Sequence, residues 1–151
     1  MNRVRQGMML VAAATFALAA CAGDGATGNN NGGGGGGGGS GGTPTLAANV
    51  QPIFNTNCAV SGCHAATNPQ QGQNLSAGVS FSNIVGVASN ESALLRVKAG
   101  DPDSSYLVHK IQGTQGTVGG SGGQMPLGRS PLSQDNINII RDWISAGALN
   151  N

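Results

Sequence analysis

The residue types with the most chemical potential lie together in one short segment, Asn57-Cys58-Ala59-Val60-Ser61-Gly62-Cys63-His64. Two thiols are separated by four residues, and an imidazole directly follows the second thiol. Two cysteines beside a histidine are what covalent attachment of a c-type haem requires, because the thiols add to the vinyl groups of the porphyrin and the imidazole ligates the iron. The usual gap between the cysteines is two residues, so the segment alone leaves other chemistries open.

Two other interpretations use the same side chains. In an oxidising compartment Cys58 and Cys63 could form a disulfide, with His64 left on the surface. Zinc is the third interpretation, but the only other histidine, His109, lies far along the chain without the spacing of a zinc finger. The segment therefore predicts a haem site or a disulfide in preference to a zinc site.

A second candidate iron ligand lies about sixty residues further on, at Met125. The other three methionines are within the first nine residues, and Met125 lies in a glycine-rich loop before a proline. A thioether there would give His/Met ligation, which raises the reduction potential of a haem iron. The alternatives are a methionine that fills a gap in the core, and His109 as the sixth ligand in its place.

Capping residues and helical periodicity predict the elements that position these side chains. Asn49 is the expected N-cap of a first helix that would deliver Cys58 at its end. The apolar positions of this helix recur at helical spacing and are Val50, Ile53 and Phe54. A short helix is also expected over residues 80–87, whereas residues 93–99 fit extended chain or helix equally well.

Two further helices are expected in the last third of the chain. Asp101 followed by proline is a typical helix start, and the pattern continues to Ile111. Ser133 is the expected N-cap of the last helix, and Gly147 follows its end. The apolar stripe of that helix is formed by Ile137, Ile140 and Ile144, with Trp143 beside it. The sequence therefore predicts an all-α, loop-rich domain.

The N-terminal segment predicts export. Arg3 and Arg5 precede an apolar run that is too short to span a bilayer, which is typical of a signal peptide over residues 1–20. The stretch Leu18-Ala19-Ala20-Cys21 resembles a bacterial lipobox, which implies that Cys21 becomes the lipidated first residue of the mature protein. Acyl chains there would anchor the protein to a membrane.

Residues 21–44 comprise the lipidated cysteine and a segment rich in Gly, Asn and Ser, which predicts a flexible tether. The folded domain is then expected over residues 45–151. The residue after Cys21 is an alanine and not an aspartate, which in enteric bacteria would imply sorting to the outer membrane. The expected location is therefore the periplasmic side of a membrane or the cell surface, with the outer membrane favoured.

Composition excludes several classes of function. The formal net charge is +1, and no basic patch interleaved with aromatic residues occurs, so nucleic-acid binding has no support. No nucleophile–base pair, carboxylate pair or phosphate loop is visible, and we predict neither an enzyme nor a small-molecule substrate. With one Trp, one Tyr and three Phe, the chain has few large apolar side chains, and a buried haem would supply core volume.

Five stretches together resemble a bacterial c-type cytochrome domain of the class I monohaem kind, and in particular the planctomycete-type cytochrome c domains. They are Val50-Gln51-Pro52-Ile53-Phe54, the Cys58 to His64 segment, Gly100-Asp101-Pro102-Asp103-Ser104-Ser105-Tyr106-Leu107, Met125-Pro126-Leu127-Gly128 and Ile140-Arg141-Asp142-Trp143-Ile144. The resemblance covers nearly all of residues 45–149. It departs from the usual pattern in its CxxxxCH spacing.

The resemblance implies a helical fold around one covalent haem c. Carried over by position, it implies thioether attachment at Cys58 and Cys63, His64 as the proximal iron ligand and Met125 as the distal one. It also implies that the first and last helices cross. The expected function is that of a membrane-anchored electron carrier whose partners are other redox proteins. The alternatives are a haem-free, disulfide-stapled cell-surface binding module and a haem sensor with an open coordination site.

Three further side chains could contact the propionates of such a haem, because a carboxylate favours guanidinium and hydroxyl donors. These are Arg96, Tyr106 and Arg129. We also expect the carbonyl of Pro69 to accept a hydrogen bond from the free ring N–H of His64 and so to fix the orientation of the ring.

Overall fold

The computed structural model describes residues 42–65 and 67–151. The predicted signal peptide, Cys21 and most of the predicted tether lie outside the described residues, as does Ala66. The four α-helices of the described part are α1 (Gln51–Asn57), α2 (Ser80–Ile84), α3 (Tyr106–Gln112) and α4 (Gln134–Ser145). Strand pairing in this part is limited to isolated bridges, so the all-α prediction is confirmed. Nor does it contain a helix with the length and apolar character needed to cross a bilayer.

The first helical segment begins one turn earlier than expected. A π-helical turn, Leu46–Val50, precedes α1 and is capped by Thr45, whose Oγ1 accepts a hydrogen bond from the N–H of Ala48 at 3.2 Å. The predicted cap, Asn49, lies inside this turn, and its Oδ1 accepts from the N–H of Thr45 at 2.8 Å. Both residues are good cap formers, and the reciprocal pair extends the helical geometry toward the N-terminus. As expected, α1 ends at Asn57 and delivers Cys58.

The helix expected from Asp101 to Ile111 is divided in two. Asp101 caps a 3₁₀ turn, Pro102–Ser104, and Ser105 then has extended backbone (φ −104°, ψ 115°) before α3 begins. The buried hydroxyl of Ser105 donates to the carbonyl of Asp101 at 2.8 Å and accepts from the N–H of Lys98 at 2.9 Å. These local side-chain bonds compete with continuous helical bonding, and this explains why the single-helix prediction was wrong.

The second expected helix is shorter than predicted. It ends at Ile84 because Val85 is extended and because the Ile84 carbonyl accepts from the N–H of Val97 at 3.0 Å. Val85 and Val97 form an isolated parallel bridge. Residues 93–99, for which the sequence fits either conformation, are therefore not helical.

The core contains side chains from both ends of the described domain and from its middle. The N-cap of α4 is Ser133, as expected, and its side chain accepts from the N–H of Asn136 at 3.3 Å. The Leu46–Val50 turn packs on α4. The fully buried members of the core cluster include Val50, Phe54, Ile140, Trp143 and Ile144. Burial of these side chains fixes α1, and so the position at which Cys58 leaves it.

Candidate functional site

The four residues between the two cysteines, 59–62, form a compact turn at the end of α1. The N–H of His64 donates to the carbonyl of Cys58 at 3.2 Å, so the chain returns to the helix end in spite of the long gap. Inside the turn, the N–H of Cys63 donates to the carbonyl of Val60 at 3.0 Å. Gly62 takes a φ of +79°, a conformation that glycine adopts without steric cost. The two additional residues are thus accommodated within the turn itself.

The imidazole of His64 is half-buried, and its Nδ1 lies 3.1 Å from the carbonyl oxygen of Gln73. A carbonyl oxygen only accepts, so Nδ1 carries the proton and Nε2 keeps its lone pair. The prediction that Pro69 would be this acceptor was wrong, because Nδ1 faces the carbonyl of Gln73 instead. The Pro69 carbonyl accepts from the N–H of Gly72 at 3.0 Å. Burial lowers the pKa of His64, and this outweighs the hydrogen bonds of the ring to the backbone of Gln73 and Gln70, which raise the pKa. The ring is therefore neutral at pH 7, which is the ligating form.

The thiol of Cys58 is buried, with 7% of the residue exposed. Burial, followed by the proximity of Cys63, raises its pKa to about 11, while Arg129 acts in the opposite direction. Reactive and redox-active cysteines need a lowered pKa, so this arrangement does not favour thiolate chemistry. Cys58 and Cys63 are both free cysteines and are not joined by a disulfide.

A cavity of about 460 Å³ brings the sequence-predicted ligands together. Its wall contains Cys58, Cys63 and His64 from the first half of the domain and Met125 from the second half. Pockets of roughly 300–1,000 Å³ are typical of cofactor and small-molecule sites. The N–H of Met125 donates to the carbonyl of Lys110 at 2.8 Å, which fixes the methionine backbone to α3.

The rest of the cavity wall combines apolar and cationic side chains. Its apolar members include Leu75, Leu107, Ile111 and Pro126. Its charged members are Arg96, Lys110, Arg129 and Glu91. Apolar walls with a few convergent charged groups suit an amphipathic ligand that carries an acidic edge.

The guanidinium of Arg96 donates hydrogen bonds to backbone carbonyls and not to a carboxylate of the chain. Its Nη1 donates to the carbonyls of Asn83 (2.8 Å) and Gly72 (3.2 Å), and its Nη2 donates to the carbonyl of Gln71 (2.8 Å). Arg96 is 7% exposed, and burial lowers its pKa. Among the described residues no carboxylate forms an ion pair with it. Three of its five N–H groups are thus used, and its predicted propionate contact stays a prediction.

Tyr106 is 4% exposed, and its hydroxyl donates to the carbonyl of Ser121 at 2.7 Å. Burial, and then the charge of Glu91, raise the pKa of this phenol. Because the hydroxyl proton is used within the protein, Tyr106 has no second proton with which to bind a propionate. Arg129 is exposed and lines the cavity, so its predicted contact stays open.

His109, the rival sixth ligand, does not line the cavity. Its Nδ1 lies 2.9 Å from the hydroxyl of Thr114, and its Nε2 lies 2.9 Å from the carbonyl of Asp103. Both ring nitrogens therefore have partners outside the cavity. The structure brings Met125 to the site and does not bring His109 there.

Sequence reasoning missed a buried ion pair in the cavity wall. Lys110 is 6% exposed, and its Nζ lies 2.9 Å from Oε2 of Glu91 and 5.7 Å from the ring centroid of Tyr106. The spacing of Tyr106 and Lys110 was the available signal, because residues four apart on a helix share a face. A lysine on the face of a buried tyrosine is a candidate for burial itself.

The donor set limits what the site could hold. Among residues 42–65 and 67–151, no three His, Cys, Asp or Glu side chains cluster in a way that could hold a metal ion. No protein-family model, curated protein or solved structure matches the chain. What the site does therefore has to follow from its own residues.

Proposed function

We propose that residues 45–151 form a cytochrome c-like domain that carries one covalently bound haem c and transfers single electrons between redox proteins. The observation that supports this most is the shared wall of one cavity of about 460 Å³. Two cysteines, a histidine and a methionine line it together, although Met125 is about sixty residues from His64 in the sequence. These are the groups that a class I c-type cytochrome uses.

Each ligand-bearing side chain has a separate role in this proposal. Cys58 and Cys63 provide thiols for the two thioether bonds. His64, held by Gln73, presents the lone pair of Nε2 as the proximal ligand, and the thioether of Met125 is the distal ligand. When bound, the haem supplies a one-electron iron couple, and His/Met ligation favours a high potential.

The remaining wall residues fit the same group. Leu75, Leu107 and Ile111 exclude water from an apolar face. Arg96 and Arg129 place positive charge on the wall, which suits the carboxylates of a haem. The fit thus includes the size of the cavity, its covalent and axial ligands and its charge.

The donor set favours haem over zinc. A structural zinc ion takes four protein ligands, usually Cys or His, and the described residues contain no such cluster. A porphyrin brings four nitrogen ligands of its own and needs only axial ligands from the protein. His64 and Met125 suffice for that.

The location of this domain is part of the proposal. A lipidated Cys21 would anchor the protein, and the segment up to residue 44 would separate the domain from the membrane by about 25 Å. The domain would then exchange electrons with partners at the periplasmic side or the cell surface, with the outer membrane favoured.

The test is the absorption spectrum of the full chain, exported in a host with haem-attachment machinery. We expect a red protein with reduced and oxidised spectra typical of a six-coordinate haem, and pigment that stays with the polypeptide in denaturant. A colourless protein would contradict the proposal and favour the disulfide-stapled binding module. A pigmented protein with a five-coordinate spectrum would favour the sensor with an open site.

A further inference from the structure

The loop over residues 113–125, which we call the methionine loop, is fixed to α3 close to Met125. The N–H of Met125 donates to the carbonyl of Lys110 at 2.8 Å, and Nε2 of Gln124 donates to the carbonyl of Ile111 at 3.3 Å. Both bonds use backbone carbonyls near the end of the helix. They attach the loop at its last two residues, through the side chain of Gln124 and the backbone of Met125.

A second attachment holds the loop at Ser121, four residues before Met125. The N–H of Ser121 donates to the carbonyl of Glu91 at 3.0 Å. Its carbonyl accepts from the hydroxyl of Tyr106 at 2.7 Å and from Nζ of Lys110 at 3.2 Å. Both the N–H and the carbonyl of Ser121 therefore have hydrogen-bond partners. We call the three residues that provide them, Glu91, Tyr106 and Lys110, the Ser121 clamp.

The ion pair inside the Ser121 clamp is poorly explained by stability alone. Only 7% of the Lys110 side chain and 17% of the Glu91 side chain are exposed, and their charged atoms are 2.9 Å apart. Desolvation of a buried pair offsets much of its Coulomb attraction, so such pairs contribute little net stability and are better suited to fixing one geometry. Here the fixed geometry is that of the methionine loop.

Two glycines let the loop backbone pass directly over the Ser121 clamp. A Cβ at Gly120 would overlap the ring of Tyr106. A Cβ at Gly122 would lie 2.6 Å from both Nζ of Lys110 and Oε1 of Glu91, and Gly122 has a φ of +75°. The absence of side chains at these positions permits the contact between the loop and the clamp.

We infer that Glu91, Tyr106 and Lys110 are positioning residues for Met125, which set where its thioether lies in the cavity. This inference rests on the proposed function, since it concerns the sixth ligand of the iron. A thioether is a neutral, weakly donating ligand, so its competitiveness depends on how well the protein pre-organises it. The Ser121 clamp supplies that pre-organisation.

The experiment compares wild-type protein with Tyr106→Phe and Lys110→Leu, each exported and purified as the full chain with its haem. Imidazole is the probe, because it displaces an axial thioether. Each variant removes one donor to the Ser121 carbonyl. It should therefore bind imidazole about twofold to tenfold more tightly than wild type, as the loss of one such hydrogen bond implies. The reduction potential of each variant should also be lower than that of wild type, because thioether ligation becomes weaker.

Arg141→Gln is the matched control. It breaks the ion pair between Arg141 and Asp103 (2.6 Å), and neither residue lines the cavity. This variant should keep wild-type imidazole affinity and potential, even where its stability is lower. Glu91→Gln keeps an acceptor for Lys110 and should give an intermediate shift. An Arg141→Gln shift as large as that of Tyr106→Phe would overturn the inference.

A second measurement does not require haem. Amide hydrogen exchange at Ser121 and Met125 should be faster in Tyr106→Phe than in wild type, with no change at the buried amides of α4. Unchanged exchange and unchanged imidazole affinity would overturn the inference while leaving the proposed function intact. A wild-type protein without haem would overturn the proposed function, and the exchange data would still decide whether the Ser121 clamp holds the loop. Tyr106→Phe, which removes one hydroxyl, carries the test where Lys110→Leu does not fold.

Discussion

Two segments of the cavity wall carry the candidate iron ligands, and they are built in different ways. In the segment over residues 58–73, which we call the Cys–His segment, the turn closes on Cys58 and the ring of His64 is held by Gln73, nine residues away. The methionine loop is instead held by α3 and by Glu91, which lies thirty residues before Ser121. Short-range bonds place the candidate ligands of the first segment, and Arg96 adds more distant bonds to its Gln71 and Gly72 carbonyls. The second segment is held mainly by contacts with other parts of the fold.

This difference suggests a division of roles under the proposed function. A locally built segment keeps its ligand geometry when the surrounding structure changes, which suits covalent attachment and the proximal ligand. A loop that is held from a distance responds to changes elsewhere, which suits a ligand whose strength is tuned. Changes in the Cys–His segment should therefore abolish haem binding, and changes in the methionine loop should adjust the properties of the haem.

The largest effect is expected from Cys58→Ser combined with Cys63→Ser. Without the two thiols no thioether bond can form, so denaturation should release any pigment from the polypeptide. The measurement is the haem content of the denatured chain, with wild type as the control. Pigment retained by the double variant would show that the Cys–His segment is not the attachment site.

Met125→Ala should keep the covalent haem and change its potential. Loss of the thioether should lower the reduction potential by about a tenth or more of the roughly 0.8 V range that axial ligands span. Potentiometric titration measures this. His109→Ala is the control and should have no effect, because both ring nitrogens have partners outside the cavity. A shift with His109→Ala alone would reverse the assignment of the sixth ligand.

A moderate effect on stability is expected from Arg96→Met. The change leaves the carbonyls of Gln71, Gly72 and Asn83 without their guanidinium donor, and the free energy of unfolding should fall by about 1–3 kcal/mol. Arg96→Lys keeps a cationic donor and should lose less. Denaturant unfolding measures both variants, and an Arg96→Met variant as stable as wild type would show that these bonds do not support the Cys–His segment.

The smallest effect concerns Asp101, which caps the turn before α3. Hydrogen bonds from Lys98 and Ser104 lower the pKa of its carboxyl group to about 2. Because the folded-state pKa is depressed, the carboxylate stabilises the fold above about pH 4, and this contribution is lost as the pH falls toward 2. In Asp101→Asn, stability measured by denaturant unfolding should vary less between pH 4 and pH 2. An unchanged pH dependence would contradict this.

Sequence reasoning worked best where structure is local. The short-range patterns that end α1 before Cys58 and cap α4 with Ser133 are present in the structure, and the all-α class follows from such patterns. The first N-cap was misplaced because Thr45 and Asn49 are both good caps four residues apart. The break at Ser105 was missed because the bonds of its hydroxyl depend on Lys98, whose position the sequence does not specify.

The residues that line the candidate cavity were predictable to a similar extent, while their roles stay predictions. The thiols, His64 and Met125 follow from residue type and from the resemblance, and the structure places them on one cavity wall. The proposed acceptor for His64 was wrong because two consecutive residues with positive φ, Gln71 and Gly72, aim the Gln73 carbonyl at the ring. Lys110 pairs with Glu91 across nineteen residues of chain. The spacing of Tyr106 and Lys110 points to burial of the lysine, but no local pattern identifies its partner.

The burial of Cys58 has a consequence for the maturation of the protein. With only 7% of the residue exposed, Cys58 is out of reach of another macromolecule once the domain has folded. Under the proposed function, the bond to Cys58 then has to form while the chain is still open, and the core closes around the product. Assembly would thus proceed in a fixed order, with the covalent bond first and the helices packed afterwards.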